Sequence, residues 1–241
     1  KKSGTNAGRF KFTVKLYRDC NGIPAPGAVN LLTNAPGWGG GINCNQISTL
    51  DLSPVGTAGQ TIPYPTCTNP GGQLNAVLEC IYESTWITIT GVPPATGWYF
   101  YYNDCCRNTG VTNLGASGGG NFTLRAVMFP YNATNTNPCY DSSPRFAERP
   151  QLATMIGNIT TYSSNAVDEE GDSLYYEWGR PLDGTTYPGT NYPYAAGYSF
   201  TNPLPSPTPP QNANNQAAVL DPNSGIVSFL SFNTGSFVTV T

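Results

Sequence analysis

The stretch that decides the fold is Phe10-Lys-Phe-Thr-Val-Lys-Leu-Tyr17. Its apolar and polar residues alternate strictly. The apolar set is Phe10, Phe12, Val14 and Leu16, and the polar set between them is Lys11, Thr13 and Lys15. Successive side chains of a β-strand lie on opposite faces, so an alternation of period two is typical of a strand with one buried face. We therefore predict a half-buried strand over residues 10–17.

The rest of the chain also favours strands over helices. Glycine (27 residues) and proline (22 residues) are frequent among the 241 residues, and both interrupt helices. The further predicted strands are residues 85–90, 97–102, 121–129, 173–178, 226–232 and 236–241, with short strands and long loops over residues 24–75. Strands at this spacing, with turn residues between them, predict an all-β protein of β-sandwich domains.

A change in composition divides the chain. All cysteines lie in the first 139 residues, and a proline- and charge-rich segment follows at residues 142–152. We predict a disulfide-rich β-sandwich over residues 1–145 and a second β-sandwich over residues 146–241, truncated at its C-terminal end. We expect covalent cross-links, rather than a large apolar interior, to hold the first domain rigid.

Seven cysteines indicate the compartment. They are Cys20, Cys44, Cys67, Cys80, Cys105, Cys106 and Cys139. Their scattered spacing lacks the CxxC pairs of zinc ribbons and redox motifs, so it favours disulfides in an extracellular, oxidising compartment. Three bridges would leave one thiol, and the pairing stays open. Because neighbours on a strand point to opposite faces, we expect Cys105 and Cys106 to bond to two different partners.

The charged residues exclude several classes of function. The chain has no histidine, which removes Ser–His–Asp and Cys–His catalysis and histidine-ligated zinc. Eleven basic residues against fourteen acidic ones give a net charge of −3, which is unlike a nucleic-acid-binding surface. No apolar run approaches the length of a membrane span.

The densest charge, Asp168-Glu-Glu-Gly-Asp172, is a candidate metal site. Clustered carboxylates repel one another, and calcium prefers several carboxylate oxygens in a flexible loop. We name Asp168, Glu170 and Asp172 as the calcium ligands. The alternative is a solvated acidic turn.

The aromatic run Trp98-Tyr-Phe-Tyr-Tyr102 is a candidate ligand site. Alternation would bury Trp98, Phe100 and Tyr102 and leave Tyr99 and Tyr101 exposed for stacking against sugars or for a protein interface; the reverse assignment and a plain core strand are the alternatives. Scattered carboxylates leave glycoside hydrolysis as a further alternative, although no motif supports it.

Four short segments together resemble one family. They are Tyr17-Arg-Asp-Cys-Asn-Gly22, Asp104-Cys-Cys-Arg-Asn108, Asp141-Ser-Ser-Pro144 and Asp168-Glu-Glu-Gly-Asp-Ser-Leu-Tyr175. In this order they are similar to motifs of large secreted surface proteins of Bacteroidota. These proteins are of the gliding-motility-associated or PKD-containing type and are exported by the type IX secretion system. The segment from Ser224 onward also resembles cadherin-like and PKD-like modules, which have Ig-like sandwich folds.

The resemblance implies an adhesin or surface-filament polypeptide at the bacterial cell surface, with no enzymatic activity. Its partners would be other domains of the same polypeptide, other surface proteins or glycans. The alternatives from other functional classes are a carbohydrate-binding module that uses exposed aromatics and a secreted glycoside hydrolase. Fold-level analogy alone does not decide among them.

Overall fold

The structure is a computed structural model, and it describes residues 8–53, 67–68, 76–108, 110–115, 120–130, 142–150 and 154–240. Within these residues every regular element is a β-strand, so the predicted all-β class is confirmed. None of the described residues forms a helix long and apolar enough to cross a membrane.

The chain separates into two compact units. The first consists of Lys1–Tyr102 with Arg125–Asp141, and the second of Asn103–Leu124 with Ser142–Thr241. The division into two sandwich domains, residues 1–145 and 146–241, stays a prediction. The two compact units each combine two separate stretches of the chain.

The first unit contains most of one large antiparallel sheet. Its strands are β1 (Arg9–Phe10), β2 (Thr13–Asp19), β3 (Ala28–Thr33), β4 (Ile42–Asp51), β5 (Val77–Ser84) and β6 (Ile87–Thr88), followed by β7 (Trp98–Asp104) and β8 (Phe122–Met128), within which the division between the units falls. Six of these form a curled half-barrel in the order β2-β5-β4-β3-β7-β8, and β1 pairs with β6.

Alternation places the core of the first unit on one face of this sheet. On β2 it buries Val14, which lies opposite the fully buried Tyr82 of β5. On β3 it buries Val29, Leu31 and Thr33 in turn, as period-two burial requires. The strand predicted over residues 10–17 is therefore confirmed, although it is divided between β1 and β2.

The expectation that cross-links, rather than an apolar interior, hold the first domain is wrong. The unit has an apolar interior that includes Tyr82, Tyr101 and Ile42. Its described residues contain one disulfide, Cys20–Cys67, with a sequence separation of 47. Such a loop closure contributes about 4 kcal/mol. Since one large buried apolar side chain contributes about 1.5–3 kcal/mol, a few core residues match it.

The second unit is built from smaller sheets. Its strands are β9 (Arg145–Phe146), β10 (Ile159–Ser163), β11 (Ala166–Val167), β12 (Leu182–Asp183), β13 (Thr190–Asn191), β14 (Gln216–Leu220) and β15 (Ile226–Leu230). The largest sheet has the order β10-β15-β14, and β9 pairs with β11 and β12 with β13. Its buried core is Leu204, Ala218 and Val227, against which Trp178, Leu220, Phe229 and Phe237 pack.

Two strands predicted in this unit are absent from the described residues. Residues 173–178 and 236–240 run outside any strand, because their backbone groups find single partners instead of a ladder. The Tyr176 amide donates to the carbonyl of Pro222, and the Val238 amide donates to the side chain of Asn113. A strand needs a neighbouring strand along its length. Among the residues that the structure describes, neither segment has one, and Ser236 forms only a single bridge with Val111.

Candidate functional site

Two of the segments that carry the resemblance lie together in the second unit. The backbone amide and the hydroxyl of Ser142 each donate a hydrogen bond of 3.2 Å to the carboxylate of Glu170. Next to Ser142 along the chain, β9 pairs with β11 and sets Phe146 opposite Ala166. The acidic loop, residues 168–172, is therefore tied to the segment that leads into β9.

The three predicted calcium ligands are placed as parts of a turn. Asp168 Oδ1 accepts the backbone amides of Glu170 at 2.9 Å and of Asp172 at 3.1 Å, as an aspartate does in a tight turn. Glu170 is directed to Ser142. Among the described residues, no three carboxylate or thiol side chains come together as a metal-binding group. Calcium binding stays a prediction, which calorimetric titration with calcium tests.

An open pocket of about 190 Å³ lies between these segments. It is lined by Pro144, Phe146 and Ala166 and by the consecutive residues Leu174, Tyr175, Tyr176 and Glu177. Tyr175 is 73 % exposed and Phe146 52 % exposed. An apolar pocket with a charged group at its edge is the usual form of a small binding site.

The Tyr176 ring is held in place by its neighbours. Its hydroxyl accepts the backbone amide of Ala166 at 3.2 Å. A Cβ atom on Gly225 would lie 2.5 Å from Cε1 of this ring, so only glycine allows the contact. Gly225 also has a φ of +67°, which favours glycine. The turn before it is set by Asp221, whose carboxylate accepts the amides of Ser224 and Asn223, and these hydrogen bonds lower its pKa.

A second candidate feature is the loop at residues 104–108. The structure joins Cys105 to Cys106 in a disulfide, and both residues are exposed. The expectation of two separate partners for these cysteines is therefore wrong: the chain leaves β7 at Asp104, so the strand geometry that separates neighbouring side chains no longer applies. Cys106 has a φ of 83°, in the left-handed region that residues other than glycine rarely adopt.

Arg107 fixes this loop to the rest of the second unit. Its side chain donates to the carbonyls of Asn121 at 2.9 Å and of Leu182 at 2.6 Å. The guanidinium also lies 5.1 Å from the centre of the Tyr192 ring, within the range of a cation–π interaction. Burial lowers the pKa of Arg107. The contacts of the partly buried Arg107 therefore hold the loop in place, and the exposed disulfide precedes Arg107 directly in the chain.

The other described disulfide closes the loop that begins at the segment Tyr17–Gly22. Cys20 is bonded to Cys67, whose amide donates to the carboxylate of Asp51 at 2.8 Å. A hydrogen bond from the hydroxyl of Ser53 is the main reason that the pKa of Asp51 is lowered. Arg18 caps the turn by donating to the carbonyl of Gly22 at 2.9 Å. The contacts of the segment Tyr17–Gly22 therefore stabilise its own turn and the attachment of Cys67.

Two cysteines are buried free thiols, Cys44 and Cys80. The expectation of at most one free thiol is therefore wrong, and Cys139 lies outside the described residues. Burial raises the pKa of the Cys44 thiol from its ordinary value of 9.0 to about 11, and the charge of Glu83 acts in the same direction. Burial also raises the pKa of Cys80. Thiols that are buried and protonated are inert at neutral pH.

The Cys44 pKa predicts a loss of stability in alkaline solution. Between pH 9 and about 11 the unfolded thiol is ionised and the folded one is still protonated. The unfolded state then binds fewer protons, so the free energy of unfolding falls by up to about 2–3 kcal/mol as pH rises across this window. The measurement is urea unfolding at several pH values, which gives the free energy of unfolding as a function of pH for the wild type and for Cys44→Ala. Equal pH dependence of the two proteins between pH 9 and about 11 would contradict the prediction.

The predicted ligand residues Tyr99 and Tyr101 differ in exposure. Tyr101 is fully buried, and in β7 it lies opposite Leu32 of β3. Tyr99 is half-buried. The burial of Trp98, Phe100 and Tyr102 follows the predicted alternation, but the exposure expected of Tyr101 is wrong. Phe100, Tyr101 and Tyr102 are buried in succession, so both faces of β7 are covered there.

The carboxylates of β5 have structural partners. Glu79 is buried and accepts a hydrogen bond of 2.9 Å from the Tyr17 hydroxyl. Glu83 forms an ion pair with Lys11. A glycosidase needs two carboxyl groups that face one substrate. Glu79 and Glu83 are instead bound to the side chains of Tyr17 and Lys11.

Sequence reasoning missed the residues that line the pocket and the role of Arg107. Phe146 carried no signal, because a two-residue strand is too short for a pattern. Tyr175 and Glu177 lie within the predicted strand 173–178, which the structure does not form, and both are exposed.

Comparison with protein-family models, with curated proteins and with solved structures found no match to this chain.

Proposed function

We propose that this chain is a non-enzymatic structural and adhesive module of a large secreted protein of the bacterial cell surface. In this proposal it consists of tandem Ig-like sandwich domains, the second of them cadherin- or PKD-like. The family resemblance adds a Bacteroidota source, export by the type IX secretion system and a role in gliding or adhesion.

The observation that carries the proposal is the exposed Cys105–Cys106 disulfide on a loop that Arg107 holds in place. Exposed disulfides persist in oxidising compartments and are reduced in the cytosol. The second disulfide, Cys20–Cys67, joins two half-buried cysteines of the first unit. Together they support a location outside the cell.

The surface of the second unit supports contact with a partner. The pocket between Phe146 and Tyr175 is open, and large apolar side chains such as Met155 (75 % exposed) and Ile159 (70 % exposed) stand free of the core. The structural partners of Glu79, Glu83 and Glu170 support a role without catalysis.

The two alternatives have weaker support. A carbohydrate-binding module would have to do without Tyr101, which is buried, so its aromatic platform would have to be at the pocket. A glycoside hydrolase would need a facing pair of carboxyl groups, and the β5 carboxylates described above are committed to Tyr17 and Lys11.

The proposal is tested on the cells that produce the protein. An antibody against the chain should label unpermeabilised cells, and deletion of this segment from the parent gene should reduce attachment to surfaces while the shortened parent still reaches the cell surface. Labelling only after permeabilisation would overturn the location. Hydrolysis of a polysaccharide by the purified chain, lost on one carboxylate substitution, would overturn the non-enzymatic role.

A further inference from the structure

We propose that the pocket beside the acidic loop binds a lysine or arginine side chain of a protein partner. The inference rests on the proposed adhesive function for the existence of a partner, and on the pocket alone for the partner's chemistry. The pocket holds about 190 Å³ and is open to solvent beside β9 and residues 174–177.

The aromatic walls provide the first part of the recognition. Phe146 and Tyr175 both line the pocket and are 52 % and 73 % exposed, so their rings are accessible to a ligand. A cation over an aromatic face is attracted by the ring quadrupole, and the attraction grows when the cation leaves water. The aliphatic part of a lysine or arginine side chain would contact Pro144 and Leu174.

A carboxylate provides the second part. Tyr175 and Glu177 both line the pocket, and both are exposed. No described residue forms a hydrogen bond or ion pair with the Glu177 side chain. Its charge is therefore available to a bound cation.

The surrounding charge favours the same occupant. The acidic loop carries four carboxylates at residues 168–172 and is tied to Ser142, two residues before the pocket wall at Pro144. The nearby cation Arg145 alternates with Phe146 on β9 and lies 3.9 Å from Glu169, so it compensates that carboxylate. A concave site with an excess of negative charge attracts cations and repels anions.

Other occupants fit less well. An anionic group would meet Glu177 and the acidic loop. A purely apolar group would take the Glu177 carboxylate out of water without a partner, which is costly. A neutral sugar could stack on Tyr175, but the negative charge would contribute nothing to its binding beyond a hydrogen bond.

The test uses the whole 241-residue chain and ligand-detected NMR. The probes are the blocked tripeptides acetyl-Gly-Arg-Gly-amide and acetyl-Gly-Lys-Gly-amide. The uncharged control is acetyl-Gly-citrulline-Gly-amide, which matches arginine in shape, and methyl glucoside represents a sugar. We expect the two charged peptides to bind with Kd on the order of 1 mM, and the citrulline peptide to bind about tenfold more weakly.

Variants locate the site. Glu177→Gln and Tyr175→Ala should each weaken the arginine peptide about tenfold, whereas Tyr175→Phe, which keeps the ring, should retain binding. Glu148→Gln removes an exposed carboxylate of the same unit that does not line the pocket, and it should leave binding unchanged. Raising the salt concentration from about 0.05 M to about 0.5 M should weaken binding of the charged peptides.

Three results would overturn the inference: equal binding of the citrulline peptide, tighter binding of methyl glucoside that Glu177→Gln leaves unchanged, or no binding of either charged peptide. None of them bears on the labelling of intact cells, so a failure here is distinguishable from a failure of the proposed function.

Discussion

Replacing Asn113 by alanine is expected to lower the free energy of unfolding of the second unit by about 3 kcal/mol or more. Asn113 is fully buried, and its side chain makes three hydrogen bonds to backbone groups. Its amide donates to the carbonyls of Pro203 and Val238 at 2.7 Å each, and its Oδ1 accepts the Val238 amide at 3.0 Å. The substitution leaves these groups without a partner, and each unsatisfied buried group costs about 1–3 kcal/mol.

The measurement is urea unfolding, together with hydrogen exchange of the Val238 amide, which should lose its protection. Asn158→Ala is the matched control, because Asn158 is exposed in the same unit and should change stability by less than about 0.5 kcal/mol. A loss of less than about 1 kcal/mol for Asn113→Ala, with Val238 still protected, would show that Asn113 does not organise this segment.

Replacing Tyr101 by alanine is expected to destabilise the first unit by about 3–5 kcal/mol, because it empties the space of a large, fully buried aromatic side chain. Any loss of ligand binding in this variant would therefore reflect loss of structure. This result bears on function, since Tyr101 is a sugar-stacking candidate by sequence and a core residue by structure.

Tyr99→Ala is the matched comparison on the same strand. Tyr99 is half-buried, so we expect a cost well below that of Tyr101→Ala, about 1–2 kcal/mol. Thermal and denaturant unfolding of both variants, followed by a glycan-binding assay on the folded protein, makes the comparison. If the Tyr101→Ala variant is as stable as the wild type, Tyr101 is not a core residue, and it is again a candidate for sugar stacking.

The strands that could be predicted from sequence are those with a local pattern and a neighbouring strand. Residues 10–17, 97–102, 121–129 and 226–232 correspond to the observed strands β1 with β2, β7, β8 and β15. The strand β5 was missed because both of its faces are partly covered, so its burial does not alternate cleanly. Residues 173–178 have the alternation of a strand but no strand beside them in the described part of the chain, which no local pattern can reveal.

The site could be predicted only in its parts. The acidic loop and the segment at Ser142 were both identified as motifs, yet their mutual contact joins residues that are 28 positions apart. The link from Arg107 to Leu182 spans 75 positions. Cysteine pairing is set by the same long-range geometry, which is why the bond between Cys105 and Cys106 did not follow from the strand pattern.

The central proposal is that this chain, whose described residues contain two disulfides, works outside the cell. The most direct measurement is peptide mapping under non-reducing conditions, on protein isolated from its own cells with thiols blocked at lysis. The account predicts that Cys20 is linked to Cys67, and that the peptide with Cys105 and Cys106 is unblocked and lighter by two hydrogen atoms than its reduced form. Cys44 and Cys80 should take up the blocking reagent only after unfolding. Blocked thiols at Cys20, Cys67, Cys105 and Cys106 in the native protein would contradict the account.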